Sequence, residues 1–135
     1  MKKLREFISL IGNVIRFNQL PESERVLTFY SEGRNYWSYL GGLLNYVLEN
    51  SQIPVNFVTS SQDDPGLNVS HPRLNHFVIG EGAIRDWMFA NMDSQFVVMT
   101  MPDINQYQVK RSRHDVHYIY VQHSLVSFHL SLIHI

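Results

Sequence analysis

Two stretches of this chain are apolar without alternation, and they constrain the fold more than anything else in it. Phe96-Val97-Val98-Met99-Thr100-Met101 is one; Tyr118-Ile119-Tyr120-Val121 is the other, inside a predicted strand His117–Gln122. A strand with one wet face alternates apolar and polar residues. Continuous β-branched and aromatic runs predict strands covered on both faces, as in a parallel sheet flanked by helices. Val26–Tyr30, Val55–Thr59 and His76–Gly80 add three shorter strand candidates.

The segments between them carry the other period. Met1–Asn18 places Leu4, Phe7, Ile8, Ile11, Val14 and Ile15 at helical spacing. It reads either as a helix packed on its own or another domain or, being basic on balance, as one lying in a membrane interface, with Gly12 and Glu6 counting against the second. Gln19–Glu24, with Pro21, reads as a polar linker. Tyr36–Asn50 has Trp37, Leu40, Leu44 and Val47 at helical spacing; Gly41-Gly42 inside it predict close approach of another backbone, since glycine costs a helix interior about 1 kcal/mol. Ser60–Asn68 is a loop around an Asp63-Asp64-Pro65-Gly66 turn, and Ala83–Asn91 is a short helix burying Ile84, Trp87 and Met88. Strands separated by helices define an α/β fold with a Rossmann-like, doubly wound parallel sheet.

Composition narrows the class. The chain has 135 residues, enough for one domain or part of one, and 44% of them are apolar, enough for a packed core. A net charge of −1 argues against a nucleic-acid partner. There is no cysteine, hence no disulfide and no thiolate metal site. No apolar run approaches the roughly 20 residues that span a bilayer, and Glu6, Asn13 and Arg16 interrupt any signal-peptide core, so the expectation is a cytoplasmic protein.

In an open α/β sheet, ligands gather outside the carboxyl ends of the strands. Three loops there, after the first, fourth and fifth strands, converge on one edge only if the sheet is parallel. His123 follows the last strand and can serve as a general base near neutral pH. Ser124 and Ser127 follow it and could hold a phosphate with backbone amides. Asp103 follows the fourth strand, where it either caps a helix or faces the crevice. Ser31, Glu32 and Arg34 follow the first strand with the same ambiguity. Lys110 and Arg111, with Arg113, form a basic cluster that reads as a solvated loop or as a contact for an anionic headgroup. The seven histidines are scattered without ligand spacing, so no metal site is expected.

The end of the chain is unusual. A doubly wound domain is expected to continue after His117–Gln122 with a helix and a strand; only Leu125–Ile135 follows, which predicts a truncated sheet with an apolar edge. Leu130-Ser131-Leu132-Ile133-His134-Ile135 is the translation of a transposase-end sequencing adapter, so the native sequence is expected to stop near His129. The expected organisation is a leading helix and linker at 1–20, the α/β domain at 21–129 and a non-native tail at 130–135.

Several stretches resemble the CDP-glycerol glycerophosphotransferase family, of the teichoic-acid polymerase type. They are Tyr30-Ser31-Glu32 with Tyr36-Trp37, Asp63-Asp64-Pro65-Gly66-Leu67-Asn68, Val98–Asp103, Lys110-Arg111-Ser112 and His117–Ser127, spread over roughly residues 25 to 129. The resemblance implies the N-terminal, acceptor-side domain of a two-domain GT-B glycosyltransferase-like fold. It implies transfer of glycerol phosphate from CDP-glycerol to a hydroxyl of a membrane-linked polymer acceptor at the inner face of the cell membrane, with no cofactor. His123 then occupies the place of the base, followed by Ser124 where the polymerases have glycine, while Ser124, Ser127, Asp103, Glu32, Arg34, Lys110 and Arg111 are the substrate-binding candidates. The donor would be bound mainly by a second domain. Two alternatives remain open: a GT-B transferase with another nucleotide-activated sugar or polyol, and a stand-alone α/β binding module.

Overall fold

A computed structural model describes residues 2–100 and 112–121. Its elements run α1 (Lys2–Asn18), β1 (Leu27–Ser31), α2 (Trp37–Asn50), β2 (Val55–Thr59), β3 (Leu74–Val78), α3 (Ala83–Ala90), β4 (Phe96–Met99) and β5 (His117–Tyr120), with short 3-10 turns at Glu22–Glu24, Arg34–Tyr36 and Pro65–Asn68. The five strands form one sheet in the order β3-β2-β1-β4-β5, and every pairing is parallel. This is an α/β fold of Rossmann-like type. The expectations placed on Asp103, Lys110, Arg111, His123, Ser124, Ser127 and the terminal hexapeptide lie outside the described residues.

Strand alternation sends neighbouring residues to two cores. Phe29, Val55, Phe57 and Val98 pack under α2 with Leu40, Leu44 and Leu48. Tyr30, Val58, Val97 and Met99 pack on the opposite face with Val14 and Phe17 of α1 and Ile84, Met88 and Phe89 of α3. All five residues of β1 and of β2 are buried, as strands covered on both faces must be. The winding reverses at β1: its chain leaves through α2 toward β2, whereas β4 arrives on its other side by way of α3.

The edges are handled differently. The backbone groups of β3 that face away from β2 are covered by α1: Asn13 Nδ2 donates to the Val78 carbonyl at 2.8 Å and an Arg16 guanidinium nitrogen to the His76 carbonyl at 2.6 Å. The Arg16 guanidinium also lies 4.2 Å from the centre of the Phe77 ring. An edge strand would otherwise offer a template for pairing with another chain. At the other side, β5 has exposed His117, Ile119 and Tyr120 and a half-buried Tyr118. That overturns the expectation of cover on both faces and matches that of an apolar edge.

Some local expectations are also corrected. The third strand is Leu74–Val78 rather than 76–80, because an edge strand tolerates Asn75 and His76, and Gly80, at a φ of 69°, turns out of the extended conformation. Trp87 of α3 is exposed, and Phe89 takes its place in the core, edge-on to Tyr30 at 4.7 Å. The nearest neighbour of Gly41 among the described residues is a side-chain ring and not a second backbone. A Cβ at Gly41 would come within 2.6 Å of the Trp37 indole, which stands edge-on to Phe57, whereas a Cβ at Gly42 would meet nothing within 4 Å. Gly41 makes room for a ring; Gly42 only weakens the helix.

Gly42→Ala is therefore expected to raise stability by about 0.5–1 kcal/mol. Gly41→Ala is expected to lower it by about 1–2 kcal/mol through displacement of Trp37. Urea denaturation of the two variants checks both signs.

Candidate functional site

Because all strands are parallel, their carboxyl ends share one edge, and the winding reverses between β1 and β4, the point at which open α/β sheets place their ligand crevice. Ser31 ends β1 and pairs with Thr59; Met99 pairs with both Tyr30 and Tyr120. Thr100 follows Met99, is 3% exposed, and its hydroxyl has no hydrogen-bond partner among the described residues. The Val121 amide donates to the Met99 carbonyl at 2.8 Å, so the chain reaches this edge beside β4, two residues in sequence before His123.

The loop after β1 is organised by local bonds. The Gly33 amide donates to Ser31 Oγ at 3.3 Å, an ST-turn, and Ser31 Oγ donates in turn to the Gly33 carbonyl at 3.0 Å, bending the chain into the 3-10 turn Arg34–Tyr36. Glu32 is half-buried and accepts a hydrogen bond from the Tyr36 hydroxyl, whose pKa the carboxylate raises. Arg34 is exposed and lies 3.8 Å from Asp63 of the β2 loop. Screened by solvent, such a pair orients more than it stabilises. Glu32 and Arg34 thus stand on the loop that follows β1.

The Asp63-Asp64-Pro65-Gly66 turn has a structural role. Asp64 is 1% exposed and satisfied twice: Thr59 Oγ1 donates to one carboxylate oxygen at 2.8 Å and the Gly66 amide to the other at 3.0 Å. The turn brings Gly66 against the Phe57 ring so closely that any Cβ would collide with it.

A cavity of about 550 Å³ opens at the same edge, over β2 and β3 and beside α1. Glu6, Asp63 and Glu81 line it with Ser60, Ser61 and Gln62, over a floor that includes Leu10 and Val78. Gln62 Nε2 reaches Glu6 at 3.4 Å, and the Ser61 hydroxyl donates to Asp63. Among the described residues the lining holds three carboxylates and no cation, with Asp63 paired from outside by Arg34, so it disfavours phosphate and favours hydroxyl-bearing or cationic groups. Behind the wall, the Ser60 hydroxyl shares a 2.5 Å hydrogen bond with the Tyr30 hydroxyl, beside Arg85 of the first turn of α3. Burial pushes the Tyr30 pKa up to about 12, against the opposing pull of the Ser60 hydrogen bond and the Arg85 charge.

None of Glu6, Tyr30, Ser60, Glu81 and Arg85 was expected from sequence to belong to a site. One signal was present: Gly80-Glu81-Gly82 between a strand and a helix is a turn pattern, and both glycines have positive φ. Nothing in the sequence tells that α1 folds back to close the cavity. Among the described residues no cluster of histidine, aspartate and glutamate could hold a metal ion. Nor is any helix there long and apolar enough to cross a membrane. No family model, curated protein or solved structure matches the chain.

Tyr30 predicts an alkaline transition. Its hydroxyl ionises near pH 10 when unfolded and near 12 when folded, so its contribution is complete below pH 10 and is lost as pH rises toward 12. The unfolding free energy from urea denaturation should fall across that window by about 2–3 kcal/mol more in wild type than in Tyr30→Phe.

Proposed function

We propose that this chain is the acceptor-side α/β domain of a transferase that moves glycerol phosphate from CDP-glycerol to a hydroxyl of a membrane-linked polymer acceptor. In this reading His123 takes the proton from the attacking acceptor hydroxyl. That oxygen attacks the β-phosphorus of the donor, and CMP leaves as the bond to the bridging oxygen breaks. A second α/β domain holds most of the donor. Ser124, Ser127, Asp103, Lys110 and Arg111 contact substrate, with Glu32 and Arg34 on the loop after β1.

One observation carries the reading. The parallel register Met99↔Tyr120 makes β4 and β5 leave the sheet side by side, next to the end of β1. The segments that resemble the transferase family and carry its candidate residues, Glu32 onward, Asp103 and His123, therefore follow three adjacent strand ends. A base, an acceptor and a leaving phosphate need such convergence.

The acidic cavity favours a second reading, in which the domain binds a hydroxyl-bearing or cationic small molecule and performs no transfer. CMP release from CDP-glycerol, measured on the product of the complete reading frame with acceptor-bearing membranes, separates the two. Transfer predicts that His123→Ala lowers turnover by about 10²–10⁴. Near-wild-type turnover of that variant removes His123 as the base, and absence of CMP release from the wild type favours the binding module.

A further inference from the structure

The amino edge of the sheet, at the opposite end from the strand ends described above, holds a second cavity of about 320 Å³. It forms where α1 and α3 end and where β1, β4 and β5 begin. Asn18 and Asn91 come from the two helix ends, Arg25 and Asp93 precede β1 and β4, and Arg113 and His114 precede β5. Trp87 also lines it, with a side chain that is 43% exposed because Phe89 holds the core position on α3. Arg113 belongs to the basic cluster singled out in the sequence, and the structure puts it at this edge.

The groups around the cavity differ in how far their hydrogen bonding is used up. Arg25 is spent: its guanidinium donates to the Leu20 and Asp93 carbonyls and meets the Asp93 carboxylate at 3.4 Å. Arg113 is fastened but not spent. Its amide donates to the Ala90 carbonyl at 3.1 Å and its Nε to Asn91 Oδ1 at 3.0 Å, which leaves its two terminal nitrogens without a partner among the described residues. The His114 imidazole, the Trp87 indole N–H and the Asn18 side-chain amide likewise form no hydrogen bond among the described residues. The segment that carries the first of these is held in place, since the Ser112 hydroxyl donates to the Met92 carbonyl and accepts from the His114 amide at 3.0 Å. Unspent donors therefore face a cavity whose one described carboxylate, Asp93, is already held by Arg25. The carbonyls at a helix end carry partial negative charge and would oppose an anion. Here they are occupied: the Gln19 and Leu20 amides donate to Ile15 and Phe17, and Asn91 and Arg113 donate to Trp87 and Ala90.

We propose that this cavity binds a small organic anion made of a ring and one phosphate or carboxylate group. The terminal nitrogens of Arg113 and the His114 imidazole bond the anionic oxygens, and the ring packs on Trp87. A guanidinium fork suits either anionic group. At about 30 Å³ for each water-sized group, the cavity has room for about ten, more than a bare inorganic anion fills. The site shares no residue with the transferase reading, so its failure leaves that reading standing.

The test is the tryptophan emission of the full 135-residue chain, titrated with phenyl phosphate, benzoate, inorganic phosphate and benzyl alcohol. At least one of the two ring-bearing anions should change the emission saturably, with a Kd of about 1 mM or tighter. The tighter of the two tells whether the site takes a phosphate or a carboxylate. Inorganic phosphate and benzyl alcohol each lack half of the ligand and should bind weaker by about tenfold or more. Arg113→Ala should weaken binding of the ring-bearing anion by about tenfold or more. Its urea midpoint without ligand should stay near wild type, because the side chain is exposed. Trp87→Phe should abolish the emission change, since the chain's other indole, Trp37, packs under α2. In that variant the ligand should still raise the urea midpoint, because binding to the folded chain stabilises it. The proposal is overturned if neither ring-bearing anion changes the emission or the urea midpoint of wild type. It is equally overturned if folded Arg113→Ala binds as tightly as wild type, or if inorganic phosphate binds as tightly as the better ring-bearing anion.

Discussion

Burial of β1 on both faces is the constraint on which the rest of the structure depends. Its five residues lie between β2 and β4, and each backbone amide and carbonyl within it must find a partner in a neighbouring parallel strand. Parallel neighbours require crossovers, and the crossovers put α2 on one face and α3 on the other. Reversal of the winding at this strand then makes its carboxyl end the place for a ligand crevice. The site is a consequence of satisfying the central strand.

Much of this was legible in the sequence. Phe96–Met99 has no polar alternation, and that alone implies cover on both faces; the structure buries Val97, Val98 and Met99. The helical spacing of Trp37, Leu40, Leu44 and Val47 marked the face of α2 that meets Phe29 and Phe57, to which the structure adds Leu48. What misled was β5. Tyr118-Ile119-Tyr120-Val121 has the composition of a central strand, yet it lies at an edge, because composition records affinity for cover and not whether cover is present. The third strand was misplaced by two residues for the converse reason: Asn75 and His76 are polar, and α1 supplies side chains over that edge.

The candidate site was less legible than the fold. Glu32 and Arg34 were singled out from their place after a strand, and the structure puts them on the loop that follows β1. The cavity at the same edge is assembled from residues distant in sequence: Glu6 from α1, Ser60 to Asp63 from the β2 loop, and Glu81 from the turn before α3. No local pattern announces such a set, because its members meet only once α1 has folded over β3.

The account turns on β5 lying parallel to β4, since that pairing brings Tyr120 and Val121 to the carboxyl edge of the sheet. The chain has no cysteine, so engineered pairs report on register without background. Phe96 is opposite His117 in the parallel register and would be opposite Tyr120 in an antiparallel one. Opposed Cα atoms fall within the span a disulfide bridges. Mild oxidation of the Phe96→Cys, His117→Cys variant should close a disulfide, and the Phe96→Cys, Tyr120→Cys variant should remain reduced. The reverse outcome would place the end of β5 at the amino edge, away from the crevice, and would contradict the account.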